Sequence, residues 1–360
     1  MPEEQGFVAD FAEHLRGVEE RFDALRRGLS PALREIASEF FAQYNFDIWH
    51  HPFAFPIALL PAWLARAAGW WSELARERVA DYAFGACAGY LYIRIQDDIY
   101  DEPEPVAPQR LLLGNILVSE GQAAFARYLG QEGRFWALAR GAWREWTEAT
   151  AQELVSGVRP LGSPPPQQLG EVRGLSAEEI FARVDPAVLN GGRKLSLVKI
   201  PCFAVALEAK FETQIAALDA GLTLLQAGNQ LINDFCSLER DLRAGFINFI
   251  LSCALPPDFD IRAEDRVRQG FAHLARSDAP SRALQLAGEL HEAAAAILGD
   301  LGQPWLGQFV TARLRLVEEM QNEFSAMRLG AILGSQGDAI CRDSANDAGD
   351  GKPPEHGGVT

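Results

Sequence analysis

Positive charge is scarce in this chain. Its 360 residues hold 33 Lys and Arg against 49 Asp and Glu, a formal charge of −16. No basic stripe runs along any segment, so the electrostatic footprint of a nucleic-acid binder is missing. A polyanionic ligand would be repelled unless metal ions intervened. Cysteine is scarce too. Cys87, Cys202, Cys236, Cys253 and Cys341 are odd in number, far apart and without a CxxC pair. That pattern excludes a zinc-site or disulfide-framework reading and predicts reduced core thiols. The histidines show no metal spacing: His50 and His51 are adjacent and the others isolated. Long apolar runs are missing as well. The most apolar stretch, Pro52 to Trp71, is interrupted by Pro56, Pro61 and Arg66, which argues against a membrane span. The N-terminus is acidic and lacks the features of a signal peptide. A soluble, cytoplasmic protein is expected.

What is present is hydrophobic (48%) and rich in helix formers. Apolar residues recur at three- and four-residue spacing almost throughout. The pattern predicts helices near 7–28, 31–48, 54–69, 71–101, 108–128, 131–157, 176–190, 193–210, 212–242, 245–254, 261–276, 279–300 and 304–330. Pro31 marks one helix start, and Ser176 with Glu179 reads as a capping box for another. A Pro- and Gly-rich loop runs from Arg159 to about Gly174. No solenoid repeat occurs. The expected organisation is one α-helical domain over 1–333 and a disordered tail over 334–360.

Two acidic segments carry chemistry. The first closes a long apolar helix with Asp97, Asp98, Asp101 and Glu102, just before Pro103. Asp97 and Asp101 lie one turn apart on one face. Carboxylates at a helix C-terminus oppose the helix dipole and repel one another. A divalent cation would relieve both penalties, and magnesium takes such oxygen ligands together with phosphate oxygens. A solvated acidic helix end is the plainer explanation of this motif alone. Arg94, one turn before Asp98, is an unexpected charge on that helix.

The second segment, Gly228 to Asp241, places Asn233, Ser237 and Asp241 four residues apart, on one helical face. An amide, a hydroxyl and a carboxylate in that array suit a second hard cation. Arg240 stands beside the last of them, within reach of a phosphate oxygen. Gly245 then breaks the helix. A polar face used locally would explain a lone triplet of this kind. Two metal-type motifs, each closing a long apolar helix, are much less expected by chance.

Asp97-Asp-Ile-Tyr-Asp101 resembles the DDxxD motif of class I isoprenoid synthases. Asn233-Asp-Phe-Cys-Ser237-Leu-Glu-Arg240-Asp241 resembles the NDxxSxx(K/R)E triad of class I terpene synthases, with Asp in the last place. The same region is similar to trans-prenyltransferases: Gln230-Leu-Ile-Asn-Asp234 resembles their FQxxDD, with Asn229 and Asn233 as departures. Lys199-Ile200 resembles their Lys-Thr pair. Two other departures matter. The region from His50 to Leu59 has no Lys or Arg where elongating enzymes hold isopentenyl diphosphate. After Asp101 only Arg110 stands near the place of their Arg-Arg pair.

The resemblance implies an all-α bundle around a deep central apolar cavity, with the two motifs facing each other across its mouth. It implies Mg2+, three ions, held by Asp97, Asp98, Asp101, Asn233, Ser237 and Asp241, all but Asp98 also counted as catalytic. It implies substrate contacts from Arg240, Lys199, Arg193, Gln230, Tyr92 and Phe203. Phe84 and Phe235 are further aromatic candidates, and Lys194 is a further cation beside Arg193. The implied partner is one linear allylic prenyl diphosphate, farnesyl or geranylgeranyl, and a homodimer is among the allowed assemblies. The leading expectation is a terpene synthase that ionises and cyclises that substrate. The alternatives are a trans-prenyltransferase and a non-catalytic regulatory subunit.

Overall fold

Proline sets many of the helix starts. Pro31, Pro108, Pro186 and Pro280 each stand in a first turn, where a missing N–H costs nothing and φ is already helical. The computed structural model of the chain describes residues 10–43, 56–101, 107–172 and 174–346, with backbone only for Gln43, Asp101 and residues 330–346. Among the described residues there are helices and turns but no strand. The helices are α1 (Ala12–Gly28), α2 (Pro31–Gln43), α3 (Leu60–Ala67), α4 (Glu73–Asp101), α5 (Pro108–Leu129) and α6 (Gly133–Ser156). They continue with α7 (Ala177–Arg183), α8 (Pro186–Arg193), α9 (Lys199–Glu208), α10 (Ile215–Cys236) and α11 (Leu238–Ala244). The last are α12 (Phe249–Ala254), α13 (Arg266–Arg276), α14 (Ala279–Leu298) and α15 (Trp305–Asn346).

The helix α10 is the axis of the bundle. It packs on α14, α8, α9 and α12, while α4 packs on α1, α3, α5 and α9. Leu222, Leu224, Leu225 and Leu231 of α10 are almost wholly buried, each contributing up to about 1.5–3 kcal/mol. Close approach is required between α8 and α10. A Cβ on Gly192 would lie 2.5 Å from the Thr223 carbonyl oxygen and 2.9 Å from the Ala227 nitrogen.

Several expected elements are divided. The segment 176–190 breaks at Asp185, whose carboxylate caps Ala187 N–H at the start of α8. The capping box at Ser176 and Glu179 is formed as expected, opening α7. The segment 212–242 bends at Ser237, between α10 and α11. Ser237 N–H still donates to Asn233 C=O (2.9 Å) and Asp241 N–H to Ser237 C=O (2.8 Å), so the helical spacing survives the bend. Gly245 stops α11 at φ +79°, a left-handed conformation that glycine adopts without a Cβ penalty. The backbone of α15 is helical to Asn346, and residues 347–360 lie outside the described residues.

Candidate functional site

A cavity of about 750 Å3 opens between α4, α8, α10, α11 and α15. Two sets of oxygen groups line it. From α4 come Asp97 and Asp98; from the α10–α11 corner come Asn233, Ser237 and Asp241. The side chain of Asp101, the segment around Glu102 and residues 44–55, which include the start of the apolar stretch, lie outside the described residues.

The α4 carboxylates are held by cations. Arg94 Nη1 donates to Asp97 Oδ2 at 3.1 Å, and Arg110 Nη1 to Asp98 Oδ2 at 3.3 Å. The unexpected charge at Arg94 is therefore a partner of the acidic motif. Burial pushes the Asp97 carboxyl above its usual pKa, against the pull of Arg94 and Lys194. A neutral acid there would bind a cation poorly, so a bound divalent ion and ionised Asp97 favour each other.

The second set is pre-arranged by Asn248. Its Oδ1 accepts from Leu251 N–H at 3.0 Å and so caps α12. Its Nδ2 donates to Asp234 C=O and to Asp241 Oδ2, both at 2.9 Å. Ser237 Oγ donates to the same Asp241 oxygen at 2.6 Å, and Arg240 reaches Asp241 Oδ1 at 3.2 Å. Asp234 faces away from solvent, accepting from Gln230 Nε2 (2.7 Å) and Phe249 N–H (3.1 Å). Burial raises its pKa to about 7 despite those bonds. Gln230, Asp234 and Asn248 therefore brace the corner that carries the triad.

The oxygen groups fit a hard divalent cation by their chemistry. They are carboxylate, amide and hydroxyl oxygens, with lone pairs to spare beyond the bonds described. Among the described residues no histidine lines the cavity, and the one thiol on its wall is Cys236, exposed between Asn233 and Ser237. Among the described residues no three His, Cys, Asp or Glu side chains cluster as a self-contained metal site. The amide of Asn233 and the hydroxyl of Ser237 belong to the donor set proposed for it.

Several expected contacts lie elsewhere. Lys199 is 1% exposed and bridges Glu145 (2.6 Å) and Asp219 (2.7 Å), away from the cavity wall. It opens α9, which is apolar on nearly all sides, and its charge is neutralised by those two carboxylates at the edge of the core. Arg193 pairs with Glu145 at 3.5 Å. Its neighbour Lys194, 2.8 Å from Glu153, does stand on the wall. Burial alone would lower the Lys194 pKa, but Glu153, Asp97 and Asp234 hold it above the usual lysine value. Tyr92 points to the opposite side of α4, edge-on to Trp143 and Trp146 at 5.8 and 6.0 Å. Phe203 and Phe84 are core residues, and Phe235 packs edge-on against Phe324 at 5.7 Å. Among the described residues the aromatic side chains on the wall are Tyr90, Phe246 and Phe249.

One functional candidate had no sequence motif. Arg313 of α15 lines the cavity, is 3% exposed and makes no ion pair among the described residues. Its guanidinium sits 4.9 Å from the Phe309 ring centroid, and burial lowers its pKa to about 10. A buried cation without a carboxylate is a ready partner for an anionic ligand.

This is the all-helical fold of the class I isoprenoid synthases. No family model matches the sequence, and no match is found among the curated proteins. Similar solved structures include a decaprenyl diphosphate synthase from Rhodobacter capsulatus, with TM-score 0.63 and 14% identity over 88% of this chain and 99% of that one. A polyprenyl synthase from Caulobacter crescentus, complexed with calcium and isoprenyl diphosphate, gives TM-score 0.64 and 16% identity over 88% and 96%. A geranylgeranyl pyrophosphate synthase from Corynebacterium glutamicum gives 0.59 and 18% over 88% and 95%.

Proposed function

We propose that this protein is an enzyme that ionises a linear allylic prenyl diphosphate with the help of divalent metal ions. One observation carries the reading: Asp97, Asp98, Asn233, Ser237 and Asp241 line a single cavity with the cations Lys194, Arg240 and Arg313. In the proposal Asp97, Asp98 and Asp101 hold Mg2+ on one wall, and Asn233, Ser237 and Asp241 hold it on the other. Bound Mg2+ would supply Lewis-acid neutralisation of the diphosphate leaving group. Arg240, with a largely exposed side chain at the triad, and Arg313, buried on α15, bind diphosphate oxygens by charge-assisted hydrogen bonds. Asn248 and Ser237 keep Asp241 oriented, so less ordering is needed on binding. Tyr90, Phe246 and Phe249 line the cavity and would supply aromatic surface to an allylic cation and help exclude bulk water. We leave Lys199, Arg193, Tyr92 and Phe203 out of this site.

The comparisons favour prenyl transfer as the step that follows, since the structural neighbours are diphosphate synthases and two are complexed with isoprenyl diphosphate. Prenyl transfer, the alternative that the sequence offers to cyclisation, is the step these neighbours support better. The cavity's own residues favour cyclisation of a single substrate. Arg94, Lys194 and Arg240 are each engaged by a carboxylate, and only Arg313 is not, so a second diphosphate lacks a cationic partner among the described residues. Ile57, from the stretch where elongating enzymes carry basic residues, meets the cavity as an apolar side chain. We also propose one domain over 1–333, a tail over 334–360, and work in the cytoplasm. Among the described residues no helix is long and apolar enough to cross a membrane.

The test is incubation with Mg2+ and geranyl, farnesyl or geranylgeranyl diphosphate, with and without isopentenyl diphosphate, followed by mass spectrometry. A longer diphosphate formed only with isopentenyl diphosphate establishes transfer. A terpene from one substrate alone, lost on Asn233→Ala, establishes cyclisation. No Mg2+-dependent release of diphosphate from any substrate sinks the ionisation reading itself.

A further inference from the structure

The inner wall of the cavity is not purely hydrocarbon. Gln226 of α10 is 0% exposed, and neither its amide nitrogen nor its amide oxygen has a hydrogen-bond partner. Asn229, one turn further on, has both side-chain polar atoms buried and unpartnered as well. Both residues line the same cavity as the oxygen sets of the proposed metal site. Each amide offers two donor hydrogens and two acceptor lone pairs. Buried polar groups in folded proteins are almost always satisfied, by protein or by ordered water. A prenyl chain cannot satisfy them, because it carries no polar atom beyond its diphosphate. Water can: the four amide atoms are closed off in this conformation, and a turn of either side chain presents them to the cavity of about 750 Å3 that both residues line, ample for the roughly 30 Å3 that a water occupies.

We propose that the side-chain amides of Gln226 and Asn229 hold a water molecule that captures the cation, so that the reaction ends in an alcohol. The inference rests on the reading that an allylic diphosphate is ionised here. The substrate's C–O bond breaks and both its electrons leave with the diphosphate. A lone pair of the held water then forms a new C–O bond to the cation, directly or after rearrangement. The resulting oxonium gives its extra proton to the departed diphosphate. The sum is prenyl diphosphate plus water giving prenyl or cyclic alcohol plus protonated diphosphate, with no oxidant or reductant needed. The amides are neutral, so they orient the water without trapping the cation as a carboxylate would. Gln226 and Asn229 are thus positioning residues for the water.

The experiment uses the full chain with Mg2+ and each allylic diphosphate in heavy-oxygen water. Diphosphate release and product identity are read together. The expected result is an alcohol carrying the solvent's oxygen, which a contaminating phosphatase, cutting the P–O bond, would not produce. In Gln226→Leu and Asn229→Leu the fraction of turnovers ending in labelled alcohol falls about tenfold in favour of hydrocarbon, a shift that one lost hydrogen bond supports. Gln226→Asn, which keeps the amide, restores part of that fraction. Normalising to diphosphate released separates this from a general loss of fold or activity. Diphosphate release without labelled alcohol, or release coupled only to a longer diphosphate, overturns the inference while leaving ionisation standing. Labelled alcohol in unchanged proportion from both Leu variants removes the role from these residues. If Gln226→Leu does not fold, Asn229→Leu alone decides.

Discussion

Two lysines five residues apart show how much position along a turn of chain matters. Lys194 stands on the cavity wall beside Glu153, while Lys199 is buried between Glu145 and Asp219. The family resemblance pointed to Lys199 and Arg193, because motif spacing counts residues and not directions. The short 3-10 turn at Ser196–Val198, between α8 and α9, rotates the chain in a way that spacing cannot reveal. The two positions should separate cleanly on substitution. Lys194→Met is expected to raise KM for a prenyl diphosphate about tenfold with little change in melting temperature. Lys199→Met is expected to lower stability by about 1–3 kcal/mol in urea melts and leave KM unchanged, since it strands two partly shielded carboxylates. Equal effects on KM would overturn this separation. Asn233, Ser237 and Asp241 were legible because four-residue spacing is a property of the helix itself. Gln226 and Arg313 were not: a lone polar residue in an apolar helix carries no sign of whether it faces a cavity or a neighbour.

Helices were readable from periodicity and caps, and their junctions were less so. The break at Asp185 carried a signal in Asp-Pro, a capping residue followed by a residue suited to a helix start, yet it lies inside a run that reads as continuously helical. The bend at Ser237 has no breaker residue, so nothing local announces it. It depends on Asn248, which ties α12 to the ends of α10 and α11 through one side chain. The contact between α8 and α10 is equally invisible in sequence, because it rests on the absence of a side chain at Gly192. Gly192→Ala would push a methyl carbon into the Thr223 carbonyl, and backbone cannot yield as a flexible side chain does. We expect a loss of about 1–3 kcal/mol in denaturant melts and a weakened response to substrate, because Lys194 follows directly on α8. An unchanged melt would show that the two helices are not in contact at this point.

At the scale of the whole molecule, buried histidines tie stability to acidity. His14 Nε2 and His291 Nδ1 each donate to a backbone carbonyl, of Ala58 and Ala287, and burial lowers both pKa values to about 4. Unfolded, the same groups take protons near the usual 6.5, so between 6.5 and 4 acid favours the unfolded chain. Each histidine's contribution is present above 6.5 and lost as pH falls. Asp234, with its pKa raised to about 7, opposes this, because its folded form holds a proton that the unfolded form has released. A variant isolates the histidine part. Relative to wild type, His291→Leu should gain about 1 kcal/mol for each pH unit lowered from 6.5 towards 4, measured by urea melts. A constant difference across that range would refute the assignment. Cys236 offers a different kind of readout. Its thiol is exposed on the cavity wall beside Ser237, and burial of part of the group keeps it mostly protonated near neutrality. A slow alkylating reagent would therefore act as a clock for access to the site. Alkylation should slow severalfold when Mg2+ and an unreactive diphosphate analogue are added together, and little with either alone. The cavity thus carries its own reporter, able to register occupancy before any product has been identified.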